Sequence, residues 1–220
     1  MFLAGGPRND YLFDCGRLPV VYQSEGKKVM WLPTFRHGIG LNESSKDIPI
    51  ITKDNIYSLE EFLNKRKMRL FIKAHPLQEN GLRELYTSNT SDTIVLLSDD
   101  DLRKNEITLY EMLGNMDALI TDYSSVYFDY LLLNRPIGFA VDDFDEYNIN
   151  RGFAFDNPID YMPGPKMRSL QDLFVFLDGL NEGKDEYAAE REKVNYEANS
   201  FRDNNNRRRC AELIVRELHK

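Results

Sequence analysis

At positions 121–125 the sequence reads TDYSS: a carboxylate, a phenol and two adjacent hydroxyls follow the apolar run ALI and open a stretch of helical spacing. Hydroxyls at a helix start can donate hydrogen bonds to an anion, and the unpaired amides and dipole of the first turn favour negative charge in the same place. Ser124 and Ser125 are therefore candidate phosphate ligands. Other residues could add to that chemistry. Arg36 and Lys73 can supply positive charge, Thr34 a further hydroxyl, and His75 a group able to bind or protonate an oxygen. Asp122 would need a partner other than the anion. Each of these residues also has a plain structural use. Ser and Asp at a helix start are ordinary N-caps. His75 ahead of Pro76 fits a hydrogen-bonded structural histidine, and Arg135 ahead of Pro136 fits a turn with a solvated guanidinium. Tyr127, Phe128 and Tyr130 fit packing on a sheet better than stacking on a ligand. Arg207, Arg208 and Arg209 fit a solvated helix face.

The elements that would position these residues alternate along the chain. KKVMWLPTF (27–35), RLFIKAHP (69–76), TIVLLSD (93–99), DALITD (117–122) and PIGFAV (136–141) each read as a short strand, while 58–67, 108–115 and 124–134 carry helical spacing. That layout predicts an α/β fold, a parallel sheet flanked by helices. From 169 onward the sequence is helix-compatible and charged. In SLQDLFVFLDGLNEG (169–183), Leu170, Leu173, Phe174, Leu177 and Leu180 fall at three- and four-residue steps, and Gly183 suits the helix end. NPIDYMPGP (157–165) predicts the loop crossing from the sheet to these helices. Ligands of open α/β sheets sit beyond the C-terminal strand ends. Thr34, Arg36, Lys73, His75, Asp122, Ser124 and Ser125 all fall at such ends, so their chemistry converges.

Composition limits the partners. The chain has 220 residues, 42% of them hydrophobic, enough for one core; its net charge of −8 argues against broad nucleic-acid binding and a uniformly cationic membrane face. Cys15 and Cys210 lie far apart and form neither a metal-ligand pair nor a disulfide framework, which predicts a reducing cytoplasm and no zinc. No apolar run is long enough to cross a bilayer.

Taken in order, GGPRNDYLF (5–13), WLPTFR (31–36), KAHP (73–76), LITDYSSVYFDYLLLNRPI (119–137), and RGFAFD followed by MPGP resemble the C-terminal half of the CDP-glycerol glycerophosphotransferases, the teichoic-acid primase and polymerase family. The similarity runs from Gly5 to Leu173 and continues weakly to the end; the long TDYSS stretch is its most specific part. The resemblance implies a Rossmann-like domain like the C-terminal one of a GT-B fold, holding the nucleotide. It implies a hinge segment over 1–26 from a missing N-terminal acceptor domain, the nucleotide-binding domain over 27–168, and helices packed on it over 169–220. The implied partners are CDP-glycerol or a related CDP-alcohol and a polymer or lipid-linked acceptor, with no cofactor, no metal and no nucleic acid. Membrane contact would come only through the acceptor or the missing part, at the cytoplasmic face. The implied reaction is attack of an acceptor hydroxyl on the β-phosphorus with CMP leaving, in teichoic-acid-like or capsular polymer synthesis. Ser124 and Ser125 would lie against the pyrophosphate, and His75 would bind or protonate the phosphate. Thr34, Arg36, Lys73 and Asp122 would complete the substrate contacts, and Asp129 or Arg135 would contact substrate or hold the helix in place. Departures from the family pattern leave Asp203 and Arg207 doubtful as ligands, because Asn204 stands where the family has glycine, and His37 follows Arg36 where an acidic residue is usual. Two other readings stay open: a nucleotide-binding module without turnover, and a transferase using CDP-ribitol or another sugar-phosphate donor.

Overall fold

The computed structural model describes residues 3–34, 48–73, 92–153 and 155–219. Among them, the apolar runs form β1 (Lys28–Leu32), β2 (Arg69–Ile72), β3 (Ile94–Leu96), β4 (Ala118–Thr121) and β5 (Ile137–Ala140), joined by a further short strand, β6 (Lys166–Met167). The strands lie in one parallel sheet in the order β3-β2-β1-β4-β5-β6. Strand order reverses between β1 and β4, which creates a crevice at their C-terminal ends.

Burial on both faces explains why the strands read as near-continuous apolar runs. Period-two alternation sorts them. Met30 and Leu32 of β1 join Phe71, Leu119, Ile137 and Phe139 in one layer, while Val29 and Trp31 join Leu70, Ile72, Ala118 and Ile120 in the other. The first layer is covered by α3 (Leu109–Gly114) and α4 (Val126–Tyr130), through Met112, Leu113, Tyr127 and Tyr130. The second is covered by α1 (Ile56–Lys65) and α6 (Leu170–Glu182), through Leu59, Leu63, Leu173 and Leu177. The ends of α6 follow from its sequence. Ser169 Oγ accepts from the Asp172 amide at 3.2 Å, and Gly183 closes the helix at φ +71°.

Several elements differ from expectation. β6 follows Gly164 and Pro165 directly, and two residues give no alternation to detect. The short helices α2 (Asp99–Lys104) and α5 (Phe144–Asn150) also appear. α2 holds itself by a capping box in which Ser98 and Asp101 bond reciprocally. The expected 124–134 helix is α4 followed by a 3-10 turn at Leu131–Leu133, stopped by Asn134 in the left-handed region. Beyond α6 run α7 (Ala188–Ala198) and α8 (Asn206–Leu218). Near the N-terminus a 3-10 helix, Pro7–Leu12, packs on α3 and α8 and buries Leu12 in the first layer. Among the described residues, no helix is long and apolar enough to cross a membrane.

Candidate functional site

The crevice between β1 and β4 is tied together by the residues that follow the two strands. Thr121 at the end of β4 donates its hydroxyl to the carbonyl of Leu32 at 2.7 Å. Asp122, fully buried, accepts from the Thr34 amide at 3.1 and 2.8 Å and from the Thr34 hydroxyl. A buried carboxylate needs such donors to offset its lost hydration. Asp122 therefore fixes the chain leaving β1 against the chain leaving β4, and it points inward.

The two serines separate in role. Ser124 Oγ accepts from the Val126 amide at 3.4 Å, a long local cap. Ser125 is the N-cap residue of α4, is exposed, and its side chain makes no capping bond. Its hydroxyl thus stands beside the crevice without an internal partner. Between Asp122 and Ser124, Tyr123 donates its hydroxyl to Asp143 at 2.9 Å and packs against Tyr147 at a centroid distance of 4.1 Å, the rings tilted by 36°. Phe153 meets the same ring edge-on at 5.2 Å, and Phe144 stacks on Phe153 at 5.1 Å. This aromatic wall comes from the segment after β5 and braces the turn that carries the serines. No local pattern in RGFAFD connects it with Tyr123; the available signal is the recurrence of aromatic residues at Phe144, Tyr147, Phe153 and Phe155.

Lys73 follows β2 as expected. Its side chain is 11% exposed, and its ammonium pairs with Asp99 at the start of α2, 2.9 Å away. A phosphate arriving there would compete with Asp99. Arg36, His37 and His75 lie outside the described residues. Tyr127 and Tyr130 are buried as packing residues, and burial raises the pKa of both.

Asp129 and Arg135 stand elsewhere. On α4, Asp129 accepts from Arg8 Nη2 at 2.9 Å, Asn9 Nδ2 at 3.0 Å and Tyr110 Oη at 2.5 Å. Burial, followed by the Asp129 bond, pushes the Tyr110 phenol up, so it remains a donor. Arg135 precedes β5 and so lies at the opposite end of the sheet from the serines. There it donates to the carbonyls of Gly114 and Met116 at 2.8 and 2.6 Å. The resemblance implies that Arg135 contacts substrate or holds the helix in place; its bonds to the last carbonyl of α3 and to the Met116 carbonyl just before β4 fit the holding role. Asp203 accepts from Arg209, which is first among the causes that hold its carboxyl down to about 2. Arg207 bonds to Asp10 and Asp14. Both doubtful ligands therefore serve the α8 junction.

Known proteins resemble the chain in sequence and in fold. The family model described as CDP-glycerol:poly(glycerophosphate) glycerophosphotransferase matches residues 1–216. A teichoic acid ribitol-phosphate primase of Bacillus spizizenii is 27% identical over 188 residues, covering 81% of this chain and 44% of that protein. A teichoic acid glycerol-phosphate primase of Bacillus subtilis is 32% identical over 138 residues, covering 63% of this chain and 31% of that protein. The solved structure of the wall teichoic acid polymerase TagF superposes on 99% of this chain and 52% of its own, with 26% identity and a TM-score of 0.74. The chain thus spans less than half the length of these curated relatives.

Proposed function

Since the chain belongs to the CDP-glycerol:poly(glycerophosphate) glycerophosphotransferase family, we propose that it is the donor-binding part of an enzyme that moves an alditol phosphate from a CDP-alcohol to an acceptor hydroxyl. The observation that carries this reading is the Ser125 hydroxyl, exposed and internally unbonded at the β1/β4 crevice. In the proposed reaction the acceptor oxygen attacks the β-phosphorus, the bond to the bridging oxygen breaks, and its electron pair leaves with CMP. Charge grows on the bridging and non-bridging oxygens as this happens, and fixed donors lower the barrier by meeting it. Ser124 and Ser125 would face the pyrophosphate, and Thr34 and Asp122 would hold the crevice open at a set width. His75, Arg36 and Lys73 would supply proton and positive charge on the leaving-group side. The acceptor side and the base that removes the hydroxyl proton would come from the remainder that longer relatives carry. A polymer or lipid-linked acceptor would bring the enzyme to the cytoplasmic face of the membrane.

The alcohol has two candidates, since one relative is named for ribitol phosphate and another for glycerol phosphate. Titration calorimetry with CDP-glycerol, CDP-ribitol and their uridine counterparts tests both points. Binding of the cytidine compounds in preference to the uridine ones is expected, and the tighter of the two names the donor. Absence of binding by any cytidine compound would remove the reading.

A further inference from the structure

Three consecutive residues near the N-terminus grip two different helices. Arg8 and Asn9 donate to the two oxygens of Asp129 on α4, joined there by Tyr110 of α3. Asp10 turns the other way. Its carboxylate, 1% exposed, accepts from the backbone amides of Asn206 at 2.9 Å and Arg207 at 2.8 Å, and from the side chains of both, at the first turn of α8. Gly5 sits at φ +78°, and any side chain there would collide with Asn206, so glycine lets the chain pass this close to α8.

The Asp129 side chain is 14% exposed and accepts three donors, which makes it a poor group for meeting substrate and a good one for fixing α4. A carboxylate can only accept, so the Asn9 amide must turn its nitrogen toward it. The Asn9 oxygen is left buried without a hydrogen-bond partner. Such an atom costs free energy. That it is tolerated marks the Asn9–Asp129 bond as the contact this amide is oriented for. Asp129 lies four residues after Ser125, hence on the same helix face one turn along.

Resting on the phosphate-site reading, we propose that Asp129 is a positioning residue for the donor site: with Arg8, Asn9 and Tyr110 it sets the rotation of α4 and so the direction of the Ser125 hydroxyl. Because Asp10 clamps the next residue of the same run to α8, the placement of the serines depends on the N-terminal segment being docked.

The test is a double-mutant cycle read by CDP affinity, with melting temperature in parallel. Asp129→Asn and Arg8→Gln are each made with and without Ser125→Ala; Arg8 is 63% exposed, so its replacement leaves the fold intact, and Tyr110→Phe gives a third, conservative probe. Each single change is expected to weaken CDP binding roughly two- to tenfold, the lower part of the range of coupling between residues in one network. Ser125→Ala is expected to cost less in the Asp129→Asn background than in the parent, since the hydroxyl is already misaimed there. Arg8→Lys should restore most of what Arg8→Gln loses. A lowered melting temperature with an unchanged Ser125 effect would make Asp129 merely structural and overturn the proposal, as would parental CDP affinity in both variants. Should Asp129→Asn not fold, the Arg8→Gln and Tyr110→Phe cycles decide alone. If Ser125→Ala has no effect on CDP binding in the parent, the phosphate-site reading fails and positioning fails with it; if Ser125→Ala weakens binding and the cycles are additive, only positioning fails.

Discussion

At the scale of residues, two adjacent serines of the same type do different work. Ser124 makes a long bond to the Val126 amide, whereas Ser125 makes no side-chain cap at all. Ser125→Ala should therefore weaken CDP binding by about 1.5–3 kcal/mol, the scale of a hydrogen bond to a charged oxygen, and leave the melting temperature where it was. Ser124→Ala should lower the melting temperature slightly, because it removes a cap. Calorimetry and thermal melts on both variants check the pair; equal melting shifts would show that the hydroxyls are equivalent. The serines were legible in the sequence because they follow an apolar strand directly and open a helix. Their supports were not. Tyr123 meets Asp143 twenty residues on, and Asp129 meets Arg8 from the far end of the chain, separations across which single-sequence patterning carries no signal. Arg135 shows the limit from the other side: its type suits a phosphate, and only the direction of β5 places it at the wrong end of the sheet.

At the scale of elements, the junction of the N-terminal 3-10 helix with α8 is electrostatic. Burial opposes charge on Asp10, yet hydrogen bonds from the amides and side chains of Asn206 and Arg207 outweigh it and hold the carboxyl below its ordinary range. A depressed carboxyl contributes stability that is complete above the unfolded value, about 4 for Asp, and is lost as pH falls through the folded one. The melting-temperature gap between the parent and Asp10→Asn should accordingly be widest near neutrality and shrink as pH falls below about 4. A gap of constant size from neutral to acid pH would show that charge does not hold the junction. The five longer strands were legible as near-continuous apolar runs, most of them broken by polar residues or proline, and α6 by its helical period and its Ser169 and Gly183 ends. β6 escaped because two residues have no period. α5 escaped because none of its residues is buried; its rings pack on Tyr123 and Phe153 instead of forming a core stripe.

At the scale of the whole molecule, the parallel sheet gathers the ends of β1 and β4 into one crevice, braces it with Asp122 below and the Tyr123 cluster beside it, and leaves the Ser125 hydroxyl to face outward. The order β3-β2-β1-β4-β5-β6 could not be read from alternation alone, since period fixes faces and not neighbours. The proposed ligand of this crevice is the pyrophosphate of a cytidine nucleotide. Amide chemical-shift mapping during titration of the chain with CDP tests it most directly. The largest shifts are expected at Thr34 and across Asp122 to Val126, with little change around Arg135 and the start of β5. Shifts concentrated at the strands' N-terminal ends, or spread without a maximum at Ser125, would contradict the assignment.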